Sequence, residues 1–325
     1  MRKIKWGVLG TAGIARKQTI PGMQQADNCE LYAIAGRSME KAEQFRERFG
    51  FEKAYGSYNE LLADPEVEAV YIPLPNELHC EWTVKALNAK KHVLCEKPLA
   101  PTTEQVETMI RCARENGVHL MEAFAYLHSP FVTAVKAELE RGAIGDVLYL
   151  ESAFITATHE AENIRMRRDT FGGALYDLGC YATSMTTWML GEEPQKVQAM
   201  ADFSDQGVDL FTSALLTFPC GARAALDCGM VLSLKDSKRI DRLQIHGTKG
   251  CIRSSTQFNE EGELSYTLYS EGKTEVKTVT TRQNYALEVE QLGRCILNGE
   301  QPHVSHAFSI MNARLIDRIL AAIHY

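Results

Sequence analysis

The chain has 325 residues, of which 45% are hydrophobic and 24% are charged, and its formal net charge is -7. Because a single hydrophobic core stops growing at about 250 to 300 residues, this length predicts two domains. The acidic charge balance excludes a general nucleic-acid binder, since such proteins need an excess of lysine and arginine to contact phosphates.

Short apolar runs alternate with amphipathic helical stretches over the first third of the chain. Strands are predicted at residues 4–9, 31–35, 69–72, 92–95 and 118–121, and helices between them include residues 39–49 and 78–89. This alternation is typical of βαβ units, whose strands form one parallel sheet. We therefore predict an α/β domain over residues 1–122, of the doubly wound Rossmann type.

The pattern changes after Ala123. A helix is predicted at residues 130–141, and strands follow at 147–158, 196–203, 210–218, 222–230, 243–246, 251–253 and 264–269. Short turns between several of these strands predict a large, mostly antiparallel open sheet. Further helices are predicted at 175–190, 284–297 and 305–323, and they should either cover a face of this sheet or dock on the first domain. Residues 123–325 should form an α+β domain, and its exposed sheet face favours a homo-oligomer, a dimer or a tetramer.

The nine cysteines are scattered and include no C-x-x-C pair, which favours reduced thiols over disulfides or a metal site. The residues before the first predicted strand leave no room for the apolar core of a signal peptide. No apolar run approaches the ~18 residues that a membrane span needs. We expect a cytoplasmic protein with no membrane partner and no metal.

A turn of small residues follows the first predicted strand: Gly10, Thr11, Ala12, Gly13 and Ile14. A strand, a glycine-rich turn and a helix start in this order bind the pyrophosphate of a dinucleotide, because the backbone can approach closely and the helix N-terminus supplies free N–H groups. The alternative is a tight turn of any α/β protein. Ala12 stands where the dinucleotide motif has its second glycine.

The end of the second predicted strand carries no acidic residue. An acid at that position would bind the ribose 2′-hydroxyl of NAD, whereas the sequence has Arg37 and Ser38, and Glu30 lies at the other end of the strand. Arginine and serine suit a 2′-phosphate, so NADP(H) is favoured over NAD(H). The alternative is that Arg37 is a solvated loop residue.

Glu96, Lys97 and Pro98 follow the strand predicted at residues 92–95. Ligands of open α/β sheets bind beyond the carboxyl ends of the strands, so Lys97 should lie beside the reacting groups. A lysine there can donate to a substrate oxygen or exchange a proton with it. The alternative is that Glu96 and Lys97 form a surface pair.

At this point the chain resembles the glucose-fructose oxidoreductase, inositol dehydrogenase and rhizopine-catabolism (Gfo/Idh/MocA) family. The resemblance covers essentially the whole chain and rests on the glycine-rich turn, residues 73–79 (Pro-Leu-Pro-Asn-Glu-Leu-His), Glu96-Lys97-Pro98 and residues 172–181. It implies an NAD(P)-dependent oxidoreductase whose cofactor pocket includes Pro73, Pro75, Asn76, His79, Glu96 and Lys97. From the residues alone, Asn76 could equally cap a helix.

Many relatives have a histidine where this chain has Tyr181, four residues after Asp177. This exchange resembles the subgroup of dihydrodiol dehydrogenase and NADP-dependent xylose dehydrogenases, in which a tyrosine has the acid/base role. Residues 121–124 (Met-Glu-Ala-Phe) and Arg165, in Asn-Ile-Arg, also resemble that subgroup. The resemblance implies that Arg165 binds substrate. The alternative is that Tyr181 only packs at a domain interface.

These residues predict hydride transfer between a nicotinamide and a carbinol or carbonyl carbon of a sugar, a polyol or a cyclic diol. Tyr181 would exchange the proton, Lys97 would stabilise the resulting charge, and Asp177 would orient hydroxyl groups, although the first two roles could be reversed. Two alternatives are a relative that uses bound NAD(H) for transient oxidation in glycoside hydrolysis or elimination, and a non-catalytic dinucleotide sensor.

Overall fold

The structure, a computed structural model, describes residues 2–232, 239–254 and 258–325. Its internal contacts divide the chain into two compact units. The first unit contains the residues up to His128 together with Arg282–Ser309, and the second contains Ser129–Thr281 and Ile310–Tyr325. Beyond the predicted boundary at residue 123, the chain thus forms most of the second unit, contributes Arg282–Ser309 to the first unit, and ends in the second unit.

The first unit is built on a parallel sheet of six strands in the order β3-β2-β1-β4-β5-β6, as the sequence predicted. The strands are β1 (Ile4–Leu9), β2 (Cys29–Ala35), β3 (Lys53–Tyr55), β4 (Ala69–Ile72), β5 (His92–Glu96) and β6 (Leu120–Ala123). The chain order reverses between β1 and β4. In a doubly wound sheet, the crevice at such a reversal, at the carboxyl ends of the strands, is where ligands bind.

Helices connect these parallel strands. They are α1 (Ile20–Gln25), α2 (Met39–Phe49), α3 (Tyr58–Ala63), α4 (Asn76–Asn88) and α5 (Thr103–Asn116), and a π-helical segment, Ala15–Thr19, leads directly into α1. Side chains cap several of them: the Ser57 hydroxyl accepts a hydrogen bond from the Glu60 amide, and the Glu60 carboxylate accepts one from the Ser57 amide. Such a reciprocal cap fixes where a short helix begins.

The second unit contains an eight-stranded sheet in the order β14-β13-β12-β11-β7-β10-β9-β8. Its strands are β7 (Val147–Ala157), β8 (Lys196–Phe203), β9 (Asp209–Thr217), β10 (Arg223–Leu232), β11 (Ile240–Gly247), β12 (Gly250–Ser254), β13 (Gly262–Ser270) and β14 (Lys273–Thr281). Only the pairing of β7 with β10 is parallel among these described strands. The predicted mostly antiparallel sheet is therefore confirmed.

One face of this sheet is buried and the other is largely exposed. On β10 the alternate residues Ala224, Leu226 and Cys228 are buried, whereas Met200 on β8 and Leu215 on β9 are 74% and 60% exposed. Strands that alternate in this way cover a core on one side only. The remaining helices are α6 (Pro130–Glu140), α7 (Cys180–Leu190), α8 (Asn284–Asn298) and α9 (His306–Ala322).

Two features of the described residues bear on the expected cellular setting. None of their helices combines the length and the apolar character that crossing a membrane requires. All nine cysteines lie in the described ranges, and none of them forms a disulfide.

Candidate active site

The turn after β1 has the backbone that a phosphate-binding turn requires. Gly10 has a φ of +124°, which favours glycine, and its N–H donates to the Ala35 carbonyl at 2.9 Å. A Cβ added at Gly10 would lie 3.1 Å from Leu74 Cδ2, whereas one added at Gly13 would have no atom within 4 Å. Side chains therefore fill the space next to Gly10, whereas the space next to Gly13 is free of protein atoms. A dinucleotide phosphate could occupy that free space at this edge of the sheet.

The residues after β2 are placed at the surface. Arg37 and Ser38 are both exposed, and the Ser38 hydroxyl accepts a hydrogen bond from the Lys41 amide at 3.4 Å as the cap of α2. That hydroxyl still has its own proton to donate. Among the described residues, no carboxylate forms an ion pair with Arg37, so its guanidinium can bind an anionic ligand.

Tyr58 is a residue that sequence reasoning missed at this edge. Its hydroxyl would lie 3.6 Å from a Cβ at Gly10, and its ring makes an edge contact with Trp82 at 4.8 Å. Burial raises the pKa of the Tyr58 hydroxyl, and the charge of Arg37 opposes that rise. Tyr58 therefore lies between the glycine-rich turn and the arginine, a position that depends on how α3 packs and has no local sequence signal.

The loop after β4 contains the other predicted cofactor residues. Pro73 is buried, Pro75 and Asn76 are partly exposed, and Pro75 occupies the cap position of α4. The alternative that Asn76 caps the helix is therefore wrong, because Asn76 is the first helical residue. Its side chain lies at the carboxyl edge of β4, where a ligand can reach it.

His79 is completely buried and links two loops of the site. Its Nδ1 lies 2.9 Å from the Pro98 carbonyl oxygen and its Nε2 lies 2.7 Å from the Leu74 carbonyl oxygen. Burial lowers the pKa of the imidazole, and the nearby Lys97 charge lowers it further. His79 thus holds the loop after β4 against the loop after β5, and its direct contact with a cofactor stays a prediction.

The carboxylate of Glu96 points into the first unit. Glu96 is 8% exposed, so the alternative of a surface pair with Lys97 is wrong for this residue. The Tyr71 hydroxyl donates to Glu96 Oε1 at 2.5 Å, and the Thr19 hydroxyl donates to the Tyr71 oxygen at 2.9 Å. Lys97 itself is partly exposed. The backbone is therefore anchored immediately before Lys97 at the carboxyl end of β5.

In the second unit, Asp209 fixes the start of a π-helical segment, Leu175–Gly179, which carries Asp177 and leads directly into α7 with Tyr181. Its buried carboxylate accepts a hydrogen bond from the Leu175 amide at 2.8 Å and one from the Thr212 hydroxyl at 2.7 Å. The approach is so close that a Cβ at Gly173, where φ is +108°, would lie 2.1 Å from Asp209 Oδ1. The close approach of the Asp209 carboxylate thus explains why residue 173 is a glycine. The sequence alone did not indicate this contact.

Asp177 and Arg165, both predicted to act on substrate, form an ion pair. Arg165 Nε lies 2.6 Å from Asp177 Oδ2, and the two side chains are 38% and 19% exposed. Burial and the charge of Arg165 lower the pKa of His159, which places that imidazole beside the pair. These groups form a polar patch one helical turn from Tyr181.

Aromatic rings support the side chain of Tyr181. Its ring lies 5.1 Å from that of Phe154 and 5.3 Å from that of Phe258, measured between centroids. The Asn259 amide donates to the phenol oxygen at 3.4 Å, a long hydrogen bond. The ring is therefore held firmly while the side chain remains partly exposed.

The described part of the chain contains no group of three or more His, Cys, Asp or Glu side chains placed to hold a metal ion. The His303 Nε2 atom lies 3.0 Å from the Leu127 carbonyl oxygen. His306 lies likewise 3.0 Å from the Leu120 carbonyl oxygen. Both imidazoles are thus engaged by the backbone of the first unit.

Replacing Asp209 by alanine should destabilise the chain. We expect Asp209→Ala to lower the free energy of unfolding by about 2 to 3 kcal/mol, because the Leu175 amide and the Thr212 hydroxyl lose a buried carboxylate acceptor. Urea denaturation of both proteins measures the difference. Asp205→Ala, in an exposed turn nearby, is the control, and an equal effect of both substitutions would contradict this account of Asp209.

Comparisons with known proteins show the family to which the chain belongs. Residues 4–124 match the model of the GFO/IDH/MocA oxidoreductase family with an NAD-binding Rossmann fold, and residues 132–253 match the C-terminal domain of the same family. A D-xylose 1-dehydrogenase (NADP(+)) of Haloferax volcanii is 35% identical, with 97% of this chain and 95% of the relative covered. A trans-1,2-dihydrobenzene-1,2-diol dehydrogenase of Xenopus laevis is 32% identical, with 97% of each chain covered.

A solved structure also matches over its whole length. It is a 3-ketoreductase from Actinomadura kijaniata in complex with NADP and TDP-benzene, 31% identical, with a TM-score of 0.92 and with 99% of this chain and 98% of that chain covered. Further structures of that reductase carry a tyrosine-to-phenylalanine substitution or a lysine-to-alanine substitution.

Proposed function

Because the chain belongs to the Gfo/Idh/MocA oxidoreductase family and is an NAD(P)-dependent enzyme, we propose that it transfers a hydride between NADP(H) and a carbinol or carbonyl carbon of a sugar, a polyol or a cyclic diol. The observation that carries this proposal is the position of Lys97. Its loop follows β5 at the carboxyl edge of the sheet, beside the crevice that the glycine-rich turn borders, and Glu96 and His79 hold that loop in place.

The pairing of Lys97 with Tyr181 has support from the reductase of Actinomadura kijaniata. The lysine and the tyrosine substituted in its structures are separated along that chain by the same number of residues as Lys97 and Tyr181 are here. Both residue types are those that the proton exchange of a dehydrogenase needs. We propose that Lys97 and Tyr181 both take part in the hydride-transfer reaction of this chain.

Bound NADP(H) supplies the hydride or accepts it. Tyr181 exchanges the proton of the substrate hydroxyl, and the Lys97 ammonium stabilises the negative charge that develops on the phenol or on the substrate oxygen. Asp177, held by Arg165, accepts hydrogen bonds from neighbouring hydroxyl groups of the substrate. Thr11, Ala12, Gly13 and Ile14 hold the pyrophosphate, and Pro73, Pro75 and Asn76 border the same crevice.

The preference for NADP(H) rests on Arg37 and Ser38. Both are exposed after β2, no carboxylate of the described residues pairs with Arg37, and the Ser38 hydroxyl keeps a proton to donate. A 2′-phosphate offers charged oxygens that a guanidinium binds in a bidentate manner. Two of the relatives described above carry NADP in their names or complexes.

Removing the Arg37 side chain should therefore weaken the binding of NADPH but not the binding of NADH. We expect Arg37→Ala to raise the Kd for NADPH by about 10- to 100-fold, since a charge-assisted hydrogen bond contributes about 1.5 to 3 kcal/mol, and to leave the Kd for NADH within about twofold. Nicotinamide fluorescence measures both constants. Arg48→Ala, an exposed arginine on α2, is the control, and equal losses for both cofactors would refute the assignment.

The reaction itself is tested by a substrate panel. Aldoses, polyols and cyclic diols are incubated with NADP⁺, and ketoses or dicarbonyl sugars with NADPH, while absorbance is followed at 340 nm. A substrate-dependent absorbance change supports the proposal. Cofactor binding with no turnover on any member would favour a dinucleotide sensor, and glycoside cleavage without net change in NADPH would favour transient oxidation.

The exposed face of the second sheet supports self-association. Met200, Leu215 and Val276 are exposed apolar side chains on its strands, and such surfaces are commonly covered by a second molecule. We propose a homo-oligomer, either a dimer or a tetramer. Sedimentation velocity would measure its mass. A cytoplasmic location remains part of the same proposal, supported by cysteines that form no disulfide.

A further inference from the structure

A buried carboxyl group with no role in the proposed reaction lies beneath the loop of Lys97. Glu122 is on β6, is 3% exposed, and accepts a hydrogen bond from the Leu99 amide through Oε1 at 2.8 Å. Leu99 is two residues from Lys97, and β6 pairs with β5, so that Cys95 is the direct neighbour of Glu122 in the sheet. Glu122 thus contacts the loop that carries Lys97 from inside the first unit.

The ionisable and hydroxyl groups on the elements around Glu122 belong to β5 with its loop, to α9 and to α8. Strand β5 and its loop contribute Cys95, Glu96 and Lys97, and α9 contributes His306, whose Nε2 is engaged by the Leu120 carbonyl, and the hydroxyl of Ser309. Helix α8 brings the completely buried Glu288 beside Glu96. The buried residues of α5 are apolar apart from Cys112, whose thiol is directed at the Val84 carbonyl.

Lys97 is a cation whose charge acts on the Glu122 carboxyl. Burial raises the pKa of that carboxyl to about 7, the charge of Glu96 raises it as well, and the Ser309 hydroxyl, the Leu99 amide and the Lys97 charge oppose the rise. The group therefore changes its charge near neutral pH. Since the Coulomb interaction is mutual, an ionised Glu122 must favour the protonated form of Lys97 as strongly as Lys97 favours the ionised Glu122.

We propose that Glu122 is a positioning residue that fixes the loop of residues 97–99 through the Leu99 amide and keeps the Lys97 side chain protonated in alkaline solution. The carboxylate does this from the interior, where few water molecules screen its charge. It does not touch substrate or cofactor. The inference rests on the proposed role of Lys97 only for its effect on turnover, because the coupling of the two charges exists whatever reaction the enzyme performs.

The consequence is a shift in the pH at which Lys97 loses its proton. In the wild type, Glu122 is ionised above about pH 7 and supports the ammonium through the alkaline range. In Glu122→Gln the amide oxygen can still accept the Leu99 N–H, but the negative charge is gone. We expect Lys97 to deprotonate about one pH unit lower in this variant, because one pKa unit corresponds to about 1.4 kcal/mol, the size of a single charge–charge interaction at a protein-like dielectric constant.

Competitive acetylation measures this pH directly, without turnover. The full chain is labelled with a trace of acetic anhydride between pH 6 and 11, and mass spectrometry quantifies the Lys97 peptide, since only the unprotonated amine reacts. We expect the labelling midpoint to fall by about one pH unit in Glu122→Gln. Glu115→Gln removes the same charge from an exposed position on α5 and should leave the midpoint unchanged.

An unchanged Lys97 midpoint in folded Glu122→Gln would overturn the inference, as would an equal shift in Glu115→Gln. If circular dichroism shows that Glu122→Gln is unfolded, Glu122→Met replaces the carboxyl by an apolar group of similar length, and the same midpoints are compared. The alkaline limb of the kcat/KM profile should move with the labelling midpoint. If the Lys97 labelling midpoint shifts in Glu122→Gln, but replacing Lys97 leaves turnover unchanged, the proposed role of Lys97 in the reaction is refuted. The inferred coupling of Glu122 with Lys97 is then still supported.

Discussion

Tyr181→Phe should lower kcat by about 100- to 10,000-fold, the usual contribution of a positioned acid/base group. The substitution removes only the phenol oxygen. The contacts of the ring with Phe154 and Phe258 do not involve that oxygen, and the hydrogen bond from Asn259 is long at 3.4 Å. We therefore expect the Tm and the Kd for NADPH to stay at their wild-type values, so that the loss reports on chemistry alone.

Stopped-flow measurement of a single turnover separates the chemical step from product release for this variant. Tyr269→Phe is the matched control, because Tyr269 is a partly exposed tyrosine of the same unit that stacks with Arg253. It should keep full activity. A Tyr181→Phe enzyme with wild-type single-turnover rates would remove the phenol from the mechanism and leave Lys97 as the proton-exchanging group.

The sequence predicted the first unit well because its strands are short, apolar and separated by helices. Buried parallel strands such as β4, Ala-Val-Tyr-Ile, are distinctive in a sequence. Once these strands are assigned, candidate site residues can be predicted, because the residues directly after parallel strands lie at one edge of the sheet. Gly10, Arg37 and Lys97 were predicted as site residues by that rule, and Asn76 was predicted from the resemblance to the family.

Elements without an apolar face were missed. Strand β14, with the sequence Lys-Thr-Glu-Val-Lys-Thr-Val-Thr-Thr, lies at the edge of the second sheet, and its Val276 is 70% exposed. An edge strand of this kind buries too little to leave a hydrophobic pattern. The sequence left open whether residues 282–309 pack on the second sheet or on the first domain, because the apolar stripe of α8 shows that the helix packs but not on which partner; the structure places these residues in the first unit.

Long-range carboxylates were the other gap in the sequence interpretation. Asp209 reaches the Leu175 amide and Glu122 reaches the Leu99 amide, each across a separation set by how strands and helices pack. Nothing in the local sequence distinguishes such acids from solvated ones. Gly173 indicates that another group approaches the backbone closely at this position, and in the structure that group is Asp209. The sequence does not say which residue approaches.

Lys97→Met should lower kcat/KM by about 100- to 1,000-fold, in the range measured when one preorganised donor to a developing negative charge is removed. Methionine keeps much of the apolar stem of lysine, so the loop held by Glu96 and His79 should remain in place and the Tm should change little. Lys85→Met, on the exposed side of α4, serves as the control. Partial recovery of Lys97→Ala by added ethylammonium would show that a cation at this position is what the reaction requires.

The double variant Lys97→Met with Tyr181→Phe tests whether these two residues act in one kinetic step. If the ammonium stabilises the charge that forms when the phenol exchanges its proton, then removing either group disables the same event, and the double variant should be only slightly slower than the slower single variant. If the two residues act in different steps, the rate losses should multiply. Fully multiplicative losses in single-turnover rates would therefore contradict a common step for the two residues, even if each single variant is impaired as expected.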